Sequence, residues 1–251
     1  MLWRARAAAF PTGEFVGQES FVRASEVLSL ARRAGIAPDI RVLDLCCGVG
    51  GPGLHVVSEL GCRYLGVDSD PRSIAQARQR AVAQGLAARF EVATLPPVPA
   101  GLFDVVLLLE TLLAFRDKAA LLQAISSALP VGGRFAFTVE EGAPLTARER
   151  EAMPGSGTVW PVPLAELFSS VEGAGMRVVW HSECTSAHLV TVRALLGSYT
   201  AAAPEVAAAA GDGTVEDLLA SHHLWSTWLR EERIRKFGVI AEKAQSSPAP
   251  A

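Results

Sequence analysis

Arg41-Val-Leu-Asp-Leu-Cys-Cys-Gly-Val-Gly-Gly-Pro-Gly53, followed by Tyr64-Leu-Gly-Val-Asp68, is the stretch whose reading decides the fold. An apolar run ends in a glycine-rich turn, an amphipathic segment follows, and a second apolar run ends in an acid. That order predicts a strand, a tight turn, a helix and a parallel strand, the unit that binds nucleotide-like cofactors. Gly48 and Gly50 let backbone approach a ligand with no side chain between. Asp68 stands 18 residues past Gly50, at a strand end where one carboxylate can accept both hydroxyls of a ribose.

Outward from this unit the chain alternates. Strands are predicted at 41–46, 63–68, 89–94, 103–109, 134–140, 177–183 and 235–243, with helices near 51–60, 71–84, 117–129 and 163–174. Asp70-Pro71 supplies a cap and a first-turn proline for the second of these helices. Upstream, Ser20 to Ala34 carries apolar residues at 21, 24, 27, 28 and 31, a helical stripe that Gly35 can end. The pattern predicts an α/β fold: a Rossmann-like, doubly wound, mostly parallel seven-stranded sheet with helices on both faces. The rhythm breaks over 185–232, a 48-residue Ala-rich helical stretch in which Thr214 and Asp217 form a capping-box signature for a helix through about Leu229. This insertion between the last two strands reads as a helical cap over the ligand edge. The expected organisation is residues 1–35 as a segment contributing to the lid, 36–184 plus 233–244 as the binding domain, 185–232 as the cap and 245–251 as a disordered tail.

Composition fits one globular domain: 251 residues, 50% hydrophobic, 20% charged. A net charge of -3 gives no electrostatic reason to expect nucleic acid or an anionic membrane as partner. Arg230, Arg233, Arg235 and Lys236 cluster, but Glu231 and Glu232 sit among them, which reads as a solvated helix end. Cys46, Cys47, Cys62 and Cys184 lack metal-ligand spacing, so no metal is expected and the thiols read as reduced, in a cytoplasmic protein. The first ten residues are too short in apolar run for a secretion signal. The longest apolar run, Val105 to Phe115, is broken by Glu110 and too short to span a bilayer. A homo-oligomer is compatible with this composition.

Val42-Leu-Asp-Leu-Cys-Cys-Gly-Val-Gly resembles the Asp-x-Gly-x-Gly-x-Gly signature of class I S-adenosylmethionine-dependent methyltransferases. The resemblance continues in Gly66-Val-Asp-Ser-Asp-Pro, Phe103-Asp-Val-Val and Leu129-Pro-Val-Gly-Gly-Arg-Phe, and covers roughly 40–183. It is greatest to small-molecule enzymes of bacterial natural-product pathways, including the sugar O-methyltransferase and quinone C-methyltransferase-like groups. The resemblance implies S-adenosyl-L-methionine as cofactor and methyl transfer to a small, largely apolar or aromatic metabolite, at O, N or C. The alternative it leaves open is a cyclase or non-methylating binding protein with the same cofactor site. A nucleic-acid acceptor is disfavoured, since no Asn/Asp-Pro-Pro-Tyr-like motif follows the fourth strand. A nicotinamide site fits less well, since Gly48-Val-Gly-Gly-Pro-Gly53 places a proline within its pattern.

By the same resemblance, Asp44 would orient the turn near the cofactor's ammonium, and amides around Cys46 to Gly50 would line the methionine end. Asp68 would hold the ribose, Ser69, Thr94 and Leu95 would flank the adenine, and Leu109 and Glu110 would border the transferable methyl. Two departures stand out. Cys46 replaces the first glycine, tolerable if its backbone angles are ordinary, and the acid that many relatives carry after the third strand is missing from Glu91-Val-Ala-Thr-Leu-Pro96.

A hydroxyl or acidic carbon acceptor benefits from a general base, and histidine is the first type to examine. Leu113 and Ala114 stand where the sugar-methylating relatives carry a histidine pair, so a base would come from elsewhere. His188 follows the sixth strand where the cap begins, and His222 shares a stripe with Val215, Leu218, Leu219, Trp225 and Leu229; with Glu110 they are the catalytic candidates. His55 and His181 are expected to be structural, with His181 buried in its strand, and His223 solvated. Glu140 is a second strand-end carboxylate, and Phe10, Phe15, Trp160, Tyr199, Trp225 and Trp228 concentrate aromatic surface in the cap and termini.

Overall fold

A computed structural model describes residues 2–154 and 159–245. The chain opens with α1 (Leu2–Ala8), a strap without regular structure, and α2 (Ala24–Arg33). Then come β1 (Arg41–Leu45), α3 (Gly51–Leu60), β2 (Arg63–Asp68), α4 (Pro71–Gln84), β3 (Ala88–Val92) and β4 (Val105–Leu108). A 3₁₀ turn at Leu112–Ala114 leads to α5 (Lys118–Ala128), β5 (Arg134–Glu141), α6 (Ala147–Glu151), α7 (Leu164–Gly173) and β6 (Met176–Glu183). The chain closes with α8 (Thr185–Ala201), α9 (Ala203–Ala210), α10 (Asp212–Arg230) and β7 (Arg235–Lys243).

The seven strands form one sheet in the order β3-β2-β1-β4-β5-β7-β6. Strands β1 to β5 run parallel, and β7 lies antiparallel between β5 and β6. One face packs against α2, α3 and α4 through Val27, Leu30, Leu54, Val56, Ile74 and Ala77; the other packs against α5 and α7 through Leu121, Ile125, Leu167 and Val171. Strand order reverses between β1 and β4, which opens a crevice at their carboxyl ends, where ligands bind in such sheets. Helices α8, α9 and α10 fill the interval between β6 and β7.

Several boundaries differ from the sequence reading. The first long helix starts at Ala24, because residues 20–23 run on as strap and the Phe21 amide donates to Glu110 Oε2 at 2.5 Å. Strands β3 and β4 stop short of 94 and 109, leaving Thr94, Leu95 and Leu109 in the loops beyond them. Helix α10 begins at Asp212, so Thr214 lies inside its first turn and does not cap it. His181 is exposed, resting against the rings of Phe168 and Phe237. The basic cluster divides: Arg230 ends α10, whereas Arg235 and Lys236 open β7, and Lys236 is 2% exposed. Of the tail expected at 245–251, all but Gln245 lies outside the described residues. Among the described residues no helix is long and apolar enough to cross a membrane.

Candidate functional site

The turn after β1 is built on three left-handed residues, Cys46 (φ 56), Gly48 (φ 54) and Gly50 (φ 78). Cys46 therefore does not keep ordinary backbone angles. A non-glycine residue held there costs on the order of 1–3 kcal/mol and persists where the surroundings over-determine it, as at functional sites. Glycine is required at the next steps. A Cβ on Gly51 would stand 2.5 Å from the carbonyl oxygens of Val16 and Gly17, and one on Gly66 would meet Cys47 Sγ at 2.9 Å. The Cys46 and Cys47 thiols are pushed up by burial first and by the neighbouring carboxylates second, to about 12 for Cys46, so both stay protonated.

Carboxylates surround the turn. Asp68, at the end of β2, accepts the Gly48 amide at 2.9 Å on one oxygen and the Asp70 amide at 2.9 Å on the other, leaving lone pairs on both. Asp44 is buried in β1 and accepts the Tyr64 hydroxyl at 2.5 Å. Burial raises the Asp44 carboxyl from 3.8 to about 7, with the Tyr64 hydrogen bond working against the rise and Asp68 adding to it. Asp70 caps α4 through the amides of Arg72 and Ser73, as its sequence context predicts.

These groups line a cavity of about 280 Å³, together with Gly17 to Ser20 of the strap, Val49, Pro52, Leu109 and Glu110. The structure thus gathers Asp44, Cys46, Gly48, Asp68, Leu109 and Glu110 around one space, with Gly50 beside it as the residue preceding α3. Ser69 is exposed next to Asp68, and Thr94 lines a different groove, between the 93–103 loop and the β2–β3 edge. Leu95 packs with the core under α5 and α7. An acidic turn with left-handed glycines is a lining that could hold a cationic nucleoside cofactor, to which Asp68 and Asp44 offer carboxylate acceptors.

Glu110, φ 55, forms the wall between this cavity and a buried polar cluster. Its backbone amide donates to Thr138 Oγ1 at 2.8 Å. Lys236 Nζ donates to Glu110 Oε1 and to Glu140 Oε1, the latter at 2.7 Å. His188, in the first turn of α8, completes the cluster: Nδ1 is 3.6 Å from Glu110 Oε1 and Nε2 is 3.3 Å from Glu140 Oε1. Nε2 makes no aligned hydrogen bond and is buried. Glu110, Glu140 and His188 present donor atoms within 4.8 Å of one another, the spacing of a metal site, but the Lys236 ammonium occupies the cationic position between the two carboxylates. That ammonium holds the Glu140 carboxyl well below the usual range despite burial, and the two carboxylates raise Lys236 in return.

His222 does not reach this cluster. The ring of Phe21 stands between, with centroids 5.3 Å from His188 and 5.5 Å from His222, and His222 Nδ1 lies 2.7 Å from the Leu218 carbonyl of its own helix. Burial lowers the His222 pKa, which keeps it a neutral packing residue beside Tyr199. Sequence reasoning missed Glu19, Phe21, Tyr64 and Lys236. Only Lys236 had a signal: in an antiparallel β5–β7 pair it falls directly opposite Glu140.

Residues 42–133 match the family model described as "Methyltransferase domain". This stretch, less than half of the chain, is similar to a methyltransferase domain. Phosphoethanolamine N-methyltransferase 1 of Arabidopsis thaliana is 31% identical over 104 residues, 41% of this chain and 21% of that protein. Ribosomal protein L11 methyltransferase of Thermus thermophilus is 40% identical over 133 residues, 51% of this chain and 48% of that protein. The chain thus spans about a fifth to a half of the length of these curated relatives. Among solved structures, the cyclopropane synthase MmaA2 of Mycobacterium tuberculosis superposes with a TM-score of 0.81 at 13% identity, covering 96% of this chain and 93% of that one, which is a likeness of fold. The match to the family model ends at Gly133, before His188, Lys236 and the helices over 185–232.

Proposed function

We propose that this protein transfers the methyl group of S-adenosylmethionine to a small, largely apolar or aromatic metabolite, in cytoplasmic natural-product metabolism. The observation that carries this reading is the continuity between the cofactor cavity and the buried cluster: Glu110 lines the first and belongs to the second. When bound, the cofactor supplies an electrophilic sulfonium methyl, so the protein's task is to position, dehydrate and deprotonate the acceptor.

Residues 185–232 act as the acceptor's roof, where Trp225 packs against Phe21 of the strap and is anchored by the buried Trp228. His188 is the acceptor's base. Its ring sits between the Glu110 and Glu140 carboxylates, which stabilise positive charge placed there. The strap is pinned beside the methyl end, where the Phe21 amide donates to Glu110 and the Phe21 ring packs on His188.

Incubation with the cofactor and a panel of phenols, hydroxylated polyketides, quinols and amines tests the reading. Stoichiometric S-adenosylhomocysteine and a product heavier by one methylene support it. Tight cofactor binding with no S-adenosylhomocysteine from any acceptor would move the assignment to a non-methylating use of the site.

A further inference from the structure

Two guanidinium groups lie against the ring of Trp160. The Arg150 guanidinium carbon stands 4.1 Å from the ring centroid, and that of Arg116 stands 4.9 Å from it. The Lys118 ammonium donates to the Trp160 carbonyl at 2.6 Å and to the Phe115 carbonyl at 2.9 Å. Stacking on an indole face orients a guanidinium while leaving its N–H donors free. Arg150 Nη1 is buried with no hydrogen-bond partner. Among the described residues neither arginine forms an ion pair.

The neighbouring acids are engaged elsewhere or turned away. Asp117 accepts the Ala120 amide at 3.1 Å, Glu149 binds Arg233 at 2.5 Å, and Glu151 is exposed and pairs with neither arginine. Burial alone lowers the Lys118 ammonium from 10.5 to about 8, with no carboxylate opposing the fall. Lys118 also opens α5, where the helix dipole adds to the positive potential. Cations gathered in this way repel one another until an anion joins them.

The cluster borders the acceptor side of the site. The Trp160 amide donates to the Leu113 carbonyl at 2.8 Å, and Leu113 lies three residues beyond Glu110, at most about 11 Å of chain. Val159, next to Trp160, and Met153, three residues past Arg150, pack in one apolar cluster with Phe21 and Trp225. Phe21 rests in turn on His188, with ring centroids 5.3 Å apart. An apolar lining thus runs from His188 to the cations.

We propose that Arg116, Lys118 and Arg150 bind an oxyanion, a carboxylate or a phosphate, at the far end of the acceptor. The inference rests on the methyl-transfer reading above and narrows it. The acceptor is an apolar acid, with its methylated atom at His188 and its charge at Trp160. The two arginines supply forks that fit paired oxygens, and Lys118 supplies a point charge.

Nuclear magnetic resonance of the full chain, titrated with inorganic phosphate and separately with acetate at constant ionic strength, tests the proposal. Saturable shifts are expected at the Trp160 indole N–H, and the anion should raise the Lys118 pKa from about 8 toward the ordinary lysine value. The tighter of the two anions identifies the group as phosphate or carboxylate. Arg150→Gln should weaken that anion by about tenfold, the scale of one charge-assisted contact. Arg148→Gln, at an exposed position of the same helix, should leave it unchanged. No saturable shift at Trp160 in the wild type, or equal loss in the two variants, overturns the proposal. In turnover, phenolic acids should exceed their methyl esters in kcat/KM by about tenfold, and Arg150→Gln should shrink that preference. Equal rates for acid and ester overturn it as well. Anion binding at Trp160 without S-adenosylhomocysteine from any acceptor would instead defeat the methyl-transfer reading.

Discussion

Lys236 stands directly opposite Glu140 in the β5–β7 pairing, and its ammonium donates to that carboxylate at 2.7 Å while also donating to Glu110. Both side chains of the pair are almost fully buried, at 2% and 5% exposure. The pair therefore links the last strand to the wall of the cofactor cavity, through Glu110 at the end of β4.

Lys236→Met should destabilise the protein by about 3–5 kcal/mol, because it leaves two carboxylates buried with no cation between them. The Lys236 pKa is raised, so its contribution is present throughout the neutral range and is lost only as pH climbs above the ordinary lysine value. Chemical denaturation of both proteins near neutral pH measures the difference. A loss under about 1 kcal/mol would mean that water or backbone groups compensate the carboxylates.

Asp68→Ala should weaken binding of S-adenosylhomocysteine by about 1.5–3 kcal/mol for each hydrogen bond lost to the ribose. The same carboxylate also accepts the Gly48 amide, so alanine loosens the turn as well as removing the anchor. Asp68→Asn keeps one acceptor oxygen and is expected to fall between wild type and alanine. Equal calorimetric affinity for wild type and alanine would remove Asp68 from the site.

Asp44 should make both stability and cofactor binding depend on pH, in opposite directions. Its carboxyl titrates at about 7 in the folded protein and at 3.8 in the reference state, so the folded chain binds the extra proton between those values. Stability from this group is full below the lower value and is lost as pH rises through the upper one, by about 2 kcal/mol between about pH 5.5 and about pH 8. Binding runs the other way, since the ionised carboxylate is the form that meets an ammonium, and S-adenosylhomocysteine affinity should rise over the same interval. Asp44→Asn should flatten both curves. Wild-type affinity that is flat from about pH 5.5 to about pH 8 would exclude Asp44 as the ammonium partner.

The fold was legible because its signals are local. Glycines in a turn, Asp70-Pro71 at a helix start and the alternation of apolar runs need no distant partner, and the seven strands appear where the pattern places them. The polar cluster was not legible for the opposite reason. Lys236 looked solvated among arginines and glutamates, and only Glu110, 126 positions away, and Glu140, 96 away, make its burial tolerable. His181 failed similarly: a strand at the sheet's edge exposes a position that the same sequence would bury at the centre. Phe21 carried a helical stripe with its neighbours, but its amide is spent on Glu110 and its ring on two histidines, contacts that override local propensity.

His188 is where the sequence reading and the cluster meet. The expectation of a functional histidine at the start of the cap arose from position alone; the structure places it at 2% exposure between Glu110 and Glu140. His188→Ala should lower turnover by about 10²–10⁴-fold if the acceptor is a hydroxyl or an acidic carbon, the usual contribution of a positioned base. S-adenosylhomocysteine affinity should stay nearly unchanged, because the imidazole does not line the cofactor cavity. His222→Ala is the packing control: it removes a ring contact with Phe21 and Tyr199 and should lower the melting temperature without moving the pH profile. His188→Gln separates charge from shape, since it can keep a polar contact to Glu140 but cannot take up a proton. If His188→Ala and His188→Gln both turn over at the wild-type rate with saturating acceptor from about pH 6 to about pH 9, the base is not His188, and an amine acceptor that sheds its proton to water becomes the better reading.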